Sequence, residues 1–157
     1  MIADFVSKTP KVILEKLGRL LETLQRVKKT YEQTASTISN QQIRCTILGL
    51  AQESKQYANE LMSHIEILGG PRERSSTESE FDYSAASPKK NEWECEEEKN
   101  SLNDCTRSEK FLLQVYREVL NEPFLYENIR KMIRYQLNGI LHSFAQLKLL
   151  NASLRRE

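Results

Sequence analysis

Two apolar stripes, each about 27 residues long and separated only by the polar turn Ser39-Asn40-Gln41, leave this chain few folds to choose from. The first stripe reads Ile13, Leu17, Leu20, Leu24, Val27, Tyr31 and Ile38, in steps of four and three with one gap at Thr34/Ala35. The second reads Ile43, Ile47, Leu50, Ser54, Tyr57, Leu61, Ile65 and Leu68. Such steps gather side chains on one face of an α-helix, and a face of that length needs other helices to cover it. Thr9 is placed to cap the first helix, with Pro10 at the first helical position, where its missing N–H costs nothing. Gly69-Gly70-Pro71 stops the second, because glycine takes the left-handed C-terminal conformation and proline cannot continue the helix. The expected helices span about 10–37 and 41–68. Joined by so short a turn, they must be antiparallel neighbours.

Residues 71–91 have no helical period and are rich in Ser, Glu and Lys, so they read as a linker pinned to the bundle by Phe81 and Tyr83. About 20 extended residues reach some 60 Å, more than the roughly 40 Å length of a 27-residue helix. A long crossover from one end of the bundle to the other follows. The third helix begins weakly near Trp93, through the acidic run Glu94 to Glu98, and spans about 93–120 with Leu102, Cys105, Glu109, Leu112, Tyr116 and Val119 inward. After Asn121-Glu122-Pro123, a fourth helix over about 124–150 turns Tyr126, Ile129, Ile133, Gln136, Ile140, Phe144 and Leu147 inward. With only 5 Gly and 4 Pro, the chain lacks the turns of a sandwich or barrel. The reading is one all-α domain over residues 1–157, a four-helix bundle.

Charge and cysteine usage narrow the function. Lys and Arg number 23 against 22 Asp and Glu, a net charge of +1, which gives no field for steering nucleic acid, anionic lipid or an acidic substrate. Cys45, Cys95 and Cys105 are an odd set without CxxC spacing, and the start MIADFVSKTP lacks the flank and core of a signal peptide. A reduced, cytoplasmic protein is expected. No apolar run approaches the roughly 20 residues that cross a bilayer, so no membrane insertion is expected.

Polar residues inside the stripes are the candidate site. Counted along the helices at about 1.5 Å per residue, Ser54 with its neighbour Glu53, Glu109, Gln136, Val27 and Tyr31 all fall near mid-height. Ferritin-like carboxylate proteins place a dimetal centre there, built from one Glu on each of two helices and Glu-x-x-His on each of the others. Here Glu53 is followed three residues later by Gln56 and Gln136 by Gly139, and the first helix offers no carboxylate at that level. That donor set is short for iron. No metal or cofactor is therefore expected; iron held by Glu53, Glu109 and Gln136 is the alternative. The preferred reading is a buried polar layer of Tyr31, Ser54, Tyr57, Glu109 and Gln136, with Glu109 and Gln136 bonded to each other or to Tyr31 or Tyr57, fixing helix register.

Other chemistry is weaker. Glu60 and His64, four residues apart, read as a surface ion pair, with zinc binding the alternative. His142 lies off the stripe, and the crossover places it roughly 20 Å or more from His64, so the two cannot share a metal. Cys105 packs inside, its thiol disfavoured as a nucleophile by Glu109 one turn away. Cys45 is expected as a small buried hydrophobe. No catalytic residue is assigned, and an enzyme is not expected. Trp93 covers the bundle's end or a partner's surface.

The stretch VILEKLGRLLETLQRVKKTYEQTAS, the helix end ELMSHIEILGG, the run CTRSEKFLLQVYREVL and the final IRYQLNGILHSFAQLKLL resemble the uncharacterised bacterial ferritin-like four-helix-bundle proteins over most of residues 12–150. The resemblance implies a ferritin-like fold, a bacterial cytoplasmic protein and a place in stress responses. On that pattern Cys105, Glu109, Tyr116, Arg117, Glu118, Gln136 and His142 match, whereas Ser36 stands where a glutamate is frequent. The combined expectation is a non-catalytic bundle, stress-associated, with a degenerate or absent dimetal site and a homo-oligomer or another protein as partner. The alternatives are a di-iron carboxylate oxidase or iron-binding protein, and a helical protein–protein interaction adaptor.

Overall fold

A proline ψ of 138° sets where the first helix starts. Pro10 is itself the N-cap, and its carbonyl accepts the N–H groups of Ile13 and Leu14, so the helix begins one residue later than a cap at Thr9 would give. The structure, a computed structural model, describes residues 9–70 and 97–155. It contains four helices: α1 (Lys11–Thr37), α2 (Gln41–Ile67), α3 (Glu97–Leu120) and α4 (Glu127–Arg155). No strand occurs among the described residues. The linker assigned to 71–91 with Phe81 and Tyr83, the start of the third helix near Trp93, and Cys95 lie outside the described residues.

The connections are tied by their own side chains. Asn40 caps α2, its Oδ1 accepting the Ile43 N–H at 3.0 Å. The Arg44 guanidinium donates twice to the Ile38 carbonyl, at 3.0 and 2.8 Å. At the far end of α2, Gly69 takes φ 90°, the left-handed conformation expected of the Gly-Gly stop. Between α3 and α4, Glu122 accepts from Lys16 Nζ at 3.1 Å and from the Phe124 N–H at 3.2 Å, while Arg130 donates to the Leu120 and Glu122 carbonyls. These bonds hold Asn121 to Tyr126 as a turn, so α4 starts at Glu127 instead of near 124. Leu125 takes the buried place, and Tyr126 is left 38% exposed, not inward.

Cross-helix contacts give each helix its direction. Lys16 meets Glu122, Arg19 meets Glu118, and Thr34 meets Cys105, so α1 and α3 run antiparallel. Gln136 reaches Tyr57 and Glu60, and Ser143 reaches Glu53, so α2 and α4 run antiparallel as well. Tyr116 with Gln136 and Glu109 with Lys148 make α3 and α4 antiparallel. Each helix packs closely on two neighbours, α1 on α2 and α3 and α4 on the same two, while across the α1–α4 diagonal the backbones stay apart and the Tyr31 and Phe144 rings meet. It follows that α2 and α3 point the same way from opposite corners.

Both stripes face inward. Ile13, Leu17, Leu20, Leu24, Val27 and Ile47 are 0–1% exposed, as are Leu61, Leu112 and Ile133. Burying a leucine or isoleucine stabilises by about 1.5–3 kcal/mol, so these positions carry the fold. No helix among the described residues is long and apolar enough to cross a membrane.

Candidate functional site

Gln136, in the inward stripe of α4, is fully buried, and a carboxamide there must find partners or cost several kcal/mol. It finds them on two helices. Its Oε1 accepts the Tyr116 hydroxyl at 2.8 Å. Its Nε2 donates to the Tyr57 carbonyl at 3.3 Å and to Glu60 Oε1 at 3.1 Å. Tyr57 in turn donates its hydroxyl to Glu53 Oε2 at 3.1 Å, and Ser143 on α4 donates to the same carboxylate. The result is a polar layer running from α3 through α4 to α2 and out toward solvent, where Glu53 and Glu60 are half-buried.

A glycine makes room for it. A Cβ built on Gly139 would collide with the Tyr57 hydroxyl and approach Glu53 Oε2 to 3.2 Å. Burial raises the Glu53 carboxyl above its ordinary 4.5, against the pull of the Ser143 and Tyr57 hydrogen bonds and the His142 charge. Burial also pushes both phenols up, and the nearby Glu53 and Glu60 carboxylates add to the rise in each. On the solvent side a depression of about 550 Å³ along α2 is lined by Gly49, Gln52, Glu53, Gln56 and Glu60, among others.

The residues expected in the layer divide. Tyr57 and Gln136 share it. Ser54 is buried one turn before Tyr57. Tyr31 is buried with its ring 6.0 Å from that of Phe144. Glu109 is also buried at 4% exposure, and its carboxylate meets Lys148 Nζ at 3.5 Å, whereas the Gln136 amide goes to Tyr116, Tyr57 and Glu60. The reason is register: the turn from Asn121 to Tyr126 brings Gln136 level with Tyr116, and Glu109 lies seven residues, about 10 Å, further along α3. Glu60, read as a partner for His64, instead joins the layer and accepts from Gln56 at 3.5 Å. Tyr116 was legible as core but not as a hydrogen-bond donor; the signal was a phenol in an inward stripe, which needs a partner for its hydroxyl.

The remaining candidates have plain surroundings. The Cys105 thiol is buried, and desolvation pushes its pKa up to about 12, so it packs and is not poised to react. Cys45 is exposed, contrary to the expectation of burial, because it follows Ile43 by two residues and so turns off the inward face. His142 is exposed beside Gln146, level with Glu53, whereas His64 lies eleven residues further along α2, about 16 Å away in height.

A dimetal centre does not fit these donors. Glu53 and Glu109 approach α4 at Ser143 and Lys148, five residues and about 140° apart around the helix, so they stand on opposite flanks. Gln136 has its oxygen committed to Tyr116. Among the described residues no three His, Cys, Asp or Glu side chains are grouped to hold a metal ion.

Fold and site together define an all-helical protein with four helices and a carboxamide–phenol–carboxylate layer across its middle. The chain belongs to a family described as a domain of unknown function (DUF2383), whose model matches residues 12–122. The match takes in α1, α2 and α3, while α4, with Gln136, lies beyond it. No curated protein matches the chain.

Proposed function

We propose that this chain is a non-catalytic, ferritin-like bundle protein of the bacterial cytoplasm, in which a structural hydrogen-bond layer stands where related bundles carry a dimetal centre. Its role is that of a scaffold in stress physiology, acting through a second copy of itself or another protein, without nucleic acid and without a cofactor. The observation that carries this reading is the commitment of Gln136, whose buried amide is bonded to Tyr116, Tyr57 and Glu60 at once. A side chain spent in this way fixes register and has little left to offer an ion. The ferritin-like topology is supported by helix direction: α2 and α3 run the same way, so the end of α2 and the start of α3 lie at opposite ends of the bundle, as a long crossover requires.

Elemental analysis of protein purified without chelator tests the reading. Iron and manganese are expected well below one equivalent per chain. Stoichiometric metal that disappears in Glu53→Ala or Glu109→Ala would establish the iron-binding alternative instead.

A further inference from the structure

A groove runs between the first turns of α1 and the last turns of α3. Val115 and Val119 line it from α3, and Val12, Lys16 and Arg19 from α1, around a depression of about 220 Å³. That is smaller than the roughly 300–1,000 Å³ of small-molecule sites and suits one or two side chains. Two ion pairs, Lys16 with Glu122 and Arg19 with Glu118, cross from helix to helix beside it. Both of its cations are thereby committed, which disfavours an anion as the occupant. Val12, 43% exposed, is the large apolar side chain that α1 leaves open to water, and Phe124, 73% exposed, stands in the turn at the same end of the bundle.

We infer that residues 1–8 of this chain fold back into the groove and seat Phe5 between Val12 and the two valines of α3. The occupant follows from where the described chain starts. Because α1 begins at Lys11, the eight residues ahead of Thr9, MIADFVSK, join the bundle beside Val12, at the open end of the groove. Ile2, Phe5 and Val6 are their large apolar members, spaced by three and four as on one face of a helical turn. The five residues from Phe5 to Pro10 reach up to about 17 Å, whereas the groove from Val12 to Arg19 is about 10 Å long, so the ring can sit anywhere along it. The other segment that leaves from this end, after Gly70 beside Leu14, has no large apolar side chain before Phe81. A phenylalanine brings about 150–250 Å² to be buried, and seating it here covers the open side of Val12 as well.

The docked segment goes beyond the scaffold reading and needs neither a metal nor a partner. In the 157-residue chain, nuclear Overhauser contacts are expected between the Phe5 ring and the methyl groups of Val12, Val115 and Val119. Phe5→Ser is expected to remove them and to lower the melting temperature by about 3–6 °C, whereas Ser7→Ala, off the apolar face of the segment, leaves both unchanged. Val12→Asp is the sharper test, because its sign depends on the segment. An acid in the first turn of a helix is favoured by the helix dipole, so in a chain lacking residues 2–8 this change is expected to leave the melting temperature level or to raise it. In the full chain the same change takes away one wall of the Phe5 seat and is expected to lower it. Should the shortened chain fail to fold, Phe5→Ser serves as the background for Val12→Asp instead. Equal shifts from Val12→Asp with and without the segment, or a Phe5→Ser chain as stable as the wild type, would overturn the proposal. So would contacts to those methyl groups from Phe81 in place of Phe5, which would give the groove to residues 71–96.

Discussion

The Tyr116 hydroxyl donates to Gln136 Oε1 at 2.8 Å across the α3–α4 interface, between two side chains that are both fully buried. Tyr116→Phe strips the amide oxygen of its donor, and Gln136→Leu strips the phenol of its acceptor. Each single change is expected to cost about 1–3 kcal/mol, the penalty for a buried polar group left unmet. The double change removes both ends and is expected to cost clearly less than the two singles added together. Urea unfolding of the four proteins checks the cycle, and strict additivity would mean that the bond carries no coupling.

Two helical glycines should respond oppositely to the same substitution. Gly49→Ala enters open space and is expected to stabilise by up to about 1 kcal/mol through helix propensity alone. Gly139→Ala drives a methyl into the Tyr57 hydroxyl, and overpacking of that kind costs about 1–3 kcal/mol, more than propensity returns. Tyr57→Phe, which removes the oxygen, is expected to relieve most of the Gly139→Ala penalty. Thermal melts of Gly49→Ala, Gly139→Ala and the Gly139→Ala/Tyr57→Phe pair decide it.

The inward stripes were legible because burial on a bundle follows a period of three and four residues, which sequence displays directly. Ile13 through Ile38 on α1 and Ile43 through Ile65 on α2 are buried as that period requires. The pairing of the polar residues was not legible in the same way. Whether Gln136 meets Glu109 or Tyr116 depends on how many residues the α3–α4 turn consumes, and that is set by Glu122 and Arg130 clamping the backbone, a tertiary matter. Glu60 reads from sequence as a partner of His64 for a related reason: it lies beside the stripe, and only the approach of α4 brings Gln136 within its reach.

Two glutamates should give the bundle opposite pH responses. Burial raises the Glu53 pKa, so the folded state holds that proton more tightly than the unfolded chain does. Ionising Glu53 therefore costs stability, which falls as pH rises from about the ordinary 4.5 through the raised folded value. Glu122 is lowered, chiefly by the Lys16 hydrogen bond and then by the Phe124 N–H; its contribution is present above 4.5 and is lost as pH falls through the lowered value. At neutral pH Glu53→Gln is expected to stabilise and Glu122→Gln to destabilise. Denaturation between pH 3 and 8 should show each variant losing its own limb of the wild-type curve.

Glu109 and Lys148 make the sharpest test of what the interior carboxylate is for. The glutamate is almost wholly buried, with a side-chain exposure of 5%, whereas its lysine partner is 62% exposed and free to swing into water. The pair is thus unequal: the attraction is screened at one end, while the cost of desolvating the carboxylate is borne at the other. Lys148→Ala leaves a buried charge without its cation and is expected to destabilise by about 1–2 kcal/mol, less than the loss of a fully enclosed partner. Glu109→Leu removes the expensive group altogether, and neutrality or a gain of up to about 2 kcal/mol is expected. A carboxylate kept for iron would behave differently, since added Fe(II) would raise the melting temperature of the wild type and leave Glu109→Leu unmoved. If instead Glu109→Leu costs as much as Lys148→Ala, the carboxylate contributes a net favourable interaction, and its place in the stripe is part of what holds α3 against α4.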